Sequence, residues 1–124
     1  MEAKTRKVLI IDDDSRNIFA LKAVLKAKKY DCLAATNAKD GFEIISQDKE
    51  VGVVLMDMMM PDMDGYQAMS KMKEHPEMRN IPVIAVTAQA MVGDRERCLE
   101  AGAASYISKP VNVDELVAQL NHYI

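Results

Sequence analysis

The chain has 124 residues, 49% of them apolar and 28% charged, a balance that excludes a disordered chain and points to one soluble domain over residues 1–124. Its 16 basic and 19 acidic residues leave a net charge of −3, so no global field favours nucleic acid or anionic lipid. No secretory signal opens the chain and its apolar runs are too short to cross a bilayer, so no membrane contact and a cytoplasmic location are expected.

Taken in chain order, Val8-Leu9-Ile10-Ile11 is a short aliphatic run that stops in Asp12-Asp13-Asp14. Short apolar runs rich in β-branched residues predict strands buried on both faces, as parallel strands are. Ile18, Leu21, Val24 and Leu25 follow helical spacing, with Ser15 as the expected N-cap and Lys26, Lys28 and Lys29 as a solvated helix end. Cys32 to Ala35 is a weaker strand, and Ala38, Phe42 and Ile45 form a short helical stripe after Asn37. Val51 to Met56 is a third strand that ends at Asp57. Asp64 and Gln67 have capping-box spacing at the start of the next helix. Ile81 to Val86 is a fourth strand ending at Thr87, followed by a helix over roughly Val92 to Ala101 that Gly102 terminates. Ser105 to Ser108 is a fifth strand. Asn112 and Glu115 then open a helix whose apolar face is Val113, Leu116, Val117, Leu120 and Ile124.

This alternation predicts an α/β fold with a five-stranded parallel sheet in the flavodoxin-like, doubly wound order 2-1-3-4-5 and helices on both faces. Ligands on such sheets sit outside the carboxyl ends of the strands. There the sequence places Asp12 and Asp13 after the first strand, Asp57 after the third, Thr87 after the fourth, and Lys109 before Pro110 after the fifth. Taken singly, the acidic run reads as a polar strand end, the threonine as a turn residue and Lys-Pro as a loop. Jointly, at consecutive strand ends, they make a site. Three neighbouring carboxylates repel unless a hard cation joins them, and an all-oxygen set suits Mg2+. Lys109 adds a point charge for a phosphate oxygen, the Thr87 hydroxyl a hydrogen bond, and one carboxylate the nucleophile.

These residues resemble the response-regulator receiver family of two-component signalling over essentially the whole chain. Asp57-Met-Met-Met-Pro-Asp-Met-Asp-Gly65 is similar to the family's D-x-x-M-P-x-M-D-G segment. Ile81-Pro-Val-Ile-Ala-Val-Thr-Ala88, Glu100-Ala-Gly-Ala103 and Tyr106-Ile-Ser-Lys-Pro110 match in order as well. The resemblance implies a signalling switch, not a turnover enzyme on free substrates, that promotes its own phosphorylation and dephosphorylation. Asp57 would be the phosphoacceptor. Asp13, Asp57 and the backbone carbonyl of Met59 would ligate Mg2+ directly, and Asp12 largely through water. Lys109 would pair with the phosphoryl group before a cis Lys109–Pro110 bond, and Thr87 and Tyr106 would be the switch pair. The implied partners are a sensor histidine kinase or a histidine phosphotransfer protein as donor, and a downstream output protein or domain. No segment remains after the fifth helix for a DNA-binding module, so no direct nucleic-acid contact is expected. Asp14-Ser-Arg-Asn-Ile-Phe-Ala-Leu21 and the segment from Thr87 to Leu99 resemble receivers of hybrid histidine kinases, and a stand-alone receiver fits equally.

The other chemistry-bearing residues read more plainly. Cys32 and Cys98 lack C-x-x-C spacing and are expected as small buried thiols. His75 before Pro76 and His122 near the last residue are expected on the surface, not as a kinase histidine. Met56, Met58, Met59, Met60 and Met63 are expected as core and loop packing, not as soft-metal ligands. By the resemblance, Met59 and Gln89 occupy places that tune phosphoryl lifetime. Two rival functions are weaker, as is a purely structural partner domain, against which the intact acidic site argues. An aspartate-nucleophile phosphohydrolase would need a second acid where Met59 stands, and a flavodoxin-like cofactor module would need a Gly-rich loop where Asp12 and Asp13 stand.

Overall fold

The computed structural model of the chain describes residues 7–61, 63–88 and 93–124. Its elements alternate strictly: β1 Lys7–Ile11, α1 Ser15–Ala27, β2 Asp31–Ala35, α2 Ala38–Gln47, β3 Val51–Asp57, α3 Gly65–Lys73, β4 Val83–Thr87, α4 Asp94–Glu100, β5 Ser105–Ser108 and α5 Val113–Tyr123. The strands form one parallel sheet in the order β2-β1-β3-β4-β5, as the sequence pattern predicts. Among the described residues no helix is long and apolar enough to cross a membrane.

Strand pleating divides the core into two layers, because successive side chains point to opposite faces. Leu9, Ile11, Val54, Met56, Val83 and Ala85 pack with residues of α2, α3 and α4, among them Ile45, Met69 and Cys98. Val8, Ile10, Val53, Leu55, Ile84 and Ile107 pack on the other side with Leu21 and Leu25 of α1 and Leu116 and Leu120 of α5. Both layers are dry: Leu9, Ile10, Leu25, Ile84 and Leu120 are all essentially unexposed. The methionines in and after β3 follow the packing expectation, with Met56, Met58 and Met60 buried and Met63 packed against the core, whereas Met59 is 54% exposed.

Several boundaries differ from the sequence expectations for physical reasons. The N-cap of α1 is Asp14, not Ser15. Its extended backbone and short carboxylate let it accept from the Arg16 N–H at 3.0 Å, while Ser15 is already helical. Strand β3 ends at Asp57, as expected. Strand β4 begins at Val83, since Pro82 has no N–H to give the ladder; its carbonyl accepts from Val54 instead. The expected helix start at Val92 lies outside the described residues. Cys98 is buried as expected, but Cys32 is only partly so because β2 is an edge strand. Burial still pushes the Cys32 thiol up to about 11, so it is an inert thiol.

The caps follow the sequence closely. Asp64 accepts from the Gln67 N–H at 2.9 Å while the Gln67 side chain accepts from the Asp64 N–H at 3.0 Å, a complete capping box. Asn112 caps α5 through the Glu115 N–H at 2.9 Å, and Gly102 closes α4 with a φ of +117°. Gly65 fixes how α3 meets the segment after Asp57. A Cβ there would sit 2.8 Å from the Met58 Cα, which is backbone and cannot swing aside. Gly65→Ala is therefore expected to destabilise the fold by about 1–3 kcal/mol, measured by urea unfolding. An unchanged midpoint would show that α3 shifts without cost.

Candidate functional site

The alternation that builds the two layers also selects which side chains meet at the carboxyl edge. Asp12 continues the Val8, Ile10 series, Asp57 the Val53, Leu55 series, and Lys109 follows Ile107. All three therefore lie on the α1/α5 side of the sheet. Thr87 continues the Val83, Ala85 series on the other side, and Tyr106 pairs in register with Ala85. The fold thus brings the sequence-selected residues to one rim and sorts them between its two faces.

Asp12 and Asp57 are only 3% and 5% exposed, whereas Asp13 faces solvent. One ligand oxygen from each of Asp12, Asp13 and Asp57 can be chosen so that all three lie within 4.8 Å of one another. The Lys109 ammonium sits 3.6 Å from Asp12 Oδ2 and 3.7 Å from Asp57 Oδ2, close enough to divide its charge between them. Backbone and side-chain donors hold the carboxylates in place. Asp12 accepts from the Asp14 N–H at 2.9 Å and from the Asn17 amide at 2.5 Å. Asp57 accepts from the Met59 N–H at 3.0 Å, and the Met58 N–H is tied to the Val86 carbonyl at 3.0 Å. The Lys109 N–H donates to the Thr87 carbonyl at 2.8 Å, and the Lys109–Pro110 bond is cis, as the resemblance implied.

Burial pushes the Asp57 carboxyl above the usual aspartate range, and the neighbouring Asp12 charge adds to it. The Met59 N–H and the Lys109 charge pull the other way without cancelling the shift. A hard divalent cation answers this surplus of negative charge, and the donor set fits one, since every ligand atom is a carboxylate oxygen. The residues therefore fit a hard cation such as Mg2+ in their chemistry.

Thr87 is 2% exposed at the end of β4. Tyr106 is partly buried, and its hydroxyl donates to Asp94 Oδ2 at 3.4 Å. Beside Thr87 opens a cleft of about 540 Å3, walled by Met58, Met60, Tyr66, Asp94 and Arg97. Two contributors escaped the sequence reading. Asn17 sits mid-motif in α1 with no chemical signal of its own, and Asp94 reads as an ordinary first-turn acid although it is 5% exposed. His75 and His122 are exposed, as expected. Gln89 lies outside the described residues.

A five-stranded parallel sheet with an acidic rim, a lysine and a buried hydroxyl defines the receiver class of protein. The family model for the response regulator receiver domain matches residues 8–121, and the chain belongs to that family. A polar-differentiation response regulator, DivK, from Brucella ovis is 31% identical over 120 residues, 97% of each chain. The receiver domain of a Pseudomonas aeruginosa sensor histidine kinase, solved with magnesium coordinated in its active-site cleft, is 30% identical. It covers 98% of both chains with a TM-score of 0.85. For the fold alone, a response regulator receiver protein from Pseudomonas putida aligns over 98% of this chain and 99% of its own, with a TM-score of 0.90 at 22% identity. The protein is thus a receiver domain of two-component signalling, one of a class of signalling switches and not a metabolic enzyme.

The raised Asp57 carboxyl has a stability consequence. The folded chain holds this proton more tightly than the unfolded one. The group therefore favours the fold below the ordinary aspartate range, and that contribution is lost as pH rises through the raised native value. In metal-free buffer, Asp57→Asn is expected to raise the thermal midpoint at pH 7, with the gain shrinking below the ordinary range. Calorimetry across pH checks this; a lower midpoint at pH 7 would contradict it.

Proposed function

We propose that this chain, as a single receiver domain over residues 1–124, is a phosphorylation-dependent switch whose acceptor is Asp57. The observation that carries the reading is the convergence of Asp12, Asp13, Asp57 and Lys109 on one rim. A phosphohistidine on a sensor kinase or phosphotransfer protein supplies the group. A carboxylate oxygen of Asp57 attacks phosphorus, the N–P bond breaks, and the leaving imidazole recovers its electron pair and takes up a proton. Asp13, Asp57 and the Met59 carbonyl would hold Mg2+, with Asp12 acting through water. The ion supplies charge neutralisation for the transferring oxygens. Lys109, already poised between the two buried carboxylates, turns to a phosphoryl oxygen and keeps it in line. Hydrolysis of the acyl phosphate at the same site returns the switch to rest.

The buried Thr87 hydroxyl donates to the phosphoryl group once it is in place, and Tyr106 moves into the space this opens. Phosphorylation can bias that rearrangement only by its preference for one arrangement over the other. The readout surface is α4, β5 and α5, where an output protein or domain binds. The working compartment is the cytoplasm, with neither nucleic acid nor membrane as a direct partner. That Asp12 and Asp57 are nearly fully buried and share one lysine supports this reading over a purely structural domain, which has no need of such a site.

Intact mass after incubation with a small-molecule phosphodonor tests the proposal. A single phosphoryl adduct is expected with Mg2+, none with a chelator, and none in Asp57→Asn. No adduct on the native chain with Mg2+ bound would sink the reading. Lys109→Ala is expected to keep the ion and slow adduct formation on the order of a hundredfold; an unchanged rate would remove Lys109 from the transfer step.

A further inference from the structure

Asp94 is the buried acid that the phosphorylation chemistry leaves unused. It stands at the first position of α4 and is 5% exposed, a placement that costs stability unless hydroxyls or amides satisfy the carboxylate. Its two oxygens face two phenols from different elements. Tyr66 of α3 donates to Oδ1 at 3.5 Å, and Tyr106 of β5 donates to Oδ2 at 3.4 Å. The Tyr66 hydroxyl also meets the buried Cys98 sulfur at 3.6 Å, and the Arg97 guanidinium lies 5.1 Å from the Tyr66 ring centroid. The Tyr66 ring is therefore fixed from two sides. Burial pushes the Tyr66 hydroxyl up to about 12, and burial together with the Asp94 charge raises that of Tyr106. Both phenols stay protonated and able to donate at neutral pH.

The position of Tyr106 gives this arrangement a consequence. The ring lies opposite Ala85 in the ladder, two residues before Thr87 on the same face of β4. Asp94 and Thr87 also border the same cleft. At 3.4 and 3.5 Å these are long hydrogen bonds, weak enough to exchange as the ring moves.

We propose that Asp94 is a positioning residue of the switch: by accepting from Tyr66 and Tyr106 at once, it ties the Tyr106 ring to α3 and holds it half-buried beside Thr87. This rests on the reading of Asp57 as phosphoacceptor. Held half-buried, the ring starts next to the space that Thr87 would vacate, so losing Asp94 both frees the ring and slows phosphorylation.

The test uses the chain labelled with 3-fluorotyrosine. Its 4 tyrosines are resolved by single Tyr→Phe variants, and the solvent isotope shift of the Tyr106 fluorine reports ring exposure. Without phosphodonor, Asp94→Ala is expected to raise that isotope shift, moving the ring equilibrium outward by about threefold to tenfold. Asp94→Asn keeps a neutral acceptor oxygen and is expected to restore part of the native value. With phosphodonor and Mg2+, the half-time of adduct formation at Asp57 should lengthen by about the same factor in Asp94→Ala. Should Asp94→Ala fail to fold, Asp94→Asn and Tyr66→Phe carry the comparison, each with a smaller displacement in the same direction. An unchanged Tyr106 exposure in the folded variants overturns the proposal, as does a changed ring with an unchanged half-time. A native chain that takes no phosphoryl group would instead sink the reading of Asp57, and the comparison of ring exposure would still stand.

Discussion

Two carboxylates that would repel each other in water are held almost dry at the end of adjacent strands, and one lysine lies between them. Asp12 and Asp57 cannot relax apart, because each directly follows the Ile11–Met56 pair of the β1–β3 ladder and both strands are packed on both faces. The backbone of Lys109 is bonded to the end of β4, which keeps its ammonium within reach of both carboxylates. The repulsion is therefore built in. Rigid strands on either side of the rim hold an unfavourable charge arrangement whose chemistry fits a hard cation.

Much of this was legible in the sequence because the relevant signals are local. Aliphatic runs that break abruptly at Asp12, Asp57 and Thr87 mark strand ends, and helical spacing between them fixes the alternation. Parallel topology then does the rest, carrying residues separated by most of the chain to the same edge. The Asp64 capping box and the Gly102 helix end were readable for the same reason: each is a contact between residues a few positions apart. The N-cap of α1 was misplaced by one residue because three acids precede Ser15, and only backbone conformation shows which of the four lies outside the helix.

What could not be read were the contacts between elements that strand order alone does not dictate. Asp94 looks like a favourable first-turn acid, and nothing nearby in sequence announces that phenols from α3 and β5 converge on it. Asn17 is similar: its amide reaches back to Asp12 across one helical turn, a placement that depends on how α1 leaves β1. Cys32 shows the opposite failure. Its local pattern says buried, but strand order puts β2 at the sheet edge, and edge position governs exposure.

The pleat of the sheet has one more implication. Residues that manage charge, Asp12, Asp57 and Lys109, fall on the α1/α5 side, whereas Thr87 and Tyr106 fall on the α3/α4 side. Parity along a strand thus puts the charged groups and the hydroxyl pair in different layers of the core while both still end at one rim. On the proposed reading, a charge change on one face would be felt through the sheet by the other, so the two layers would be joined only at the strand ends.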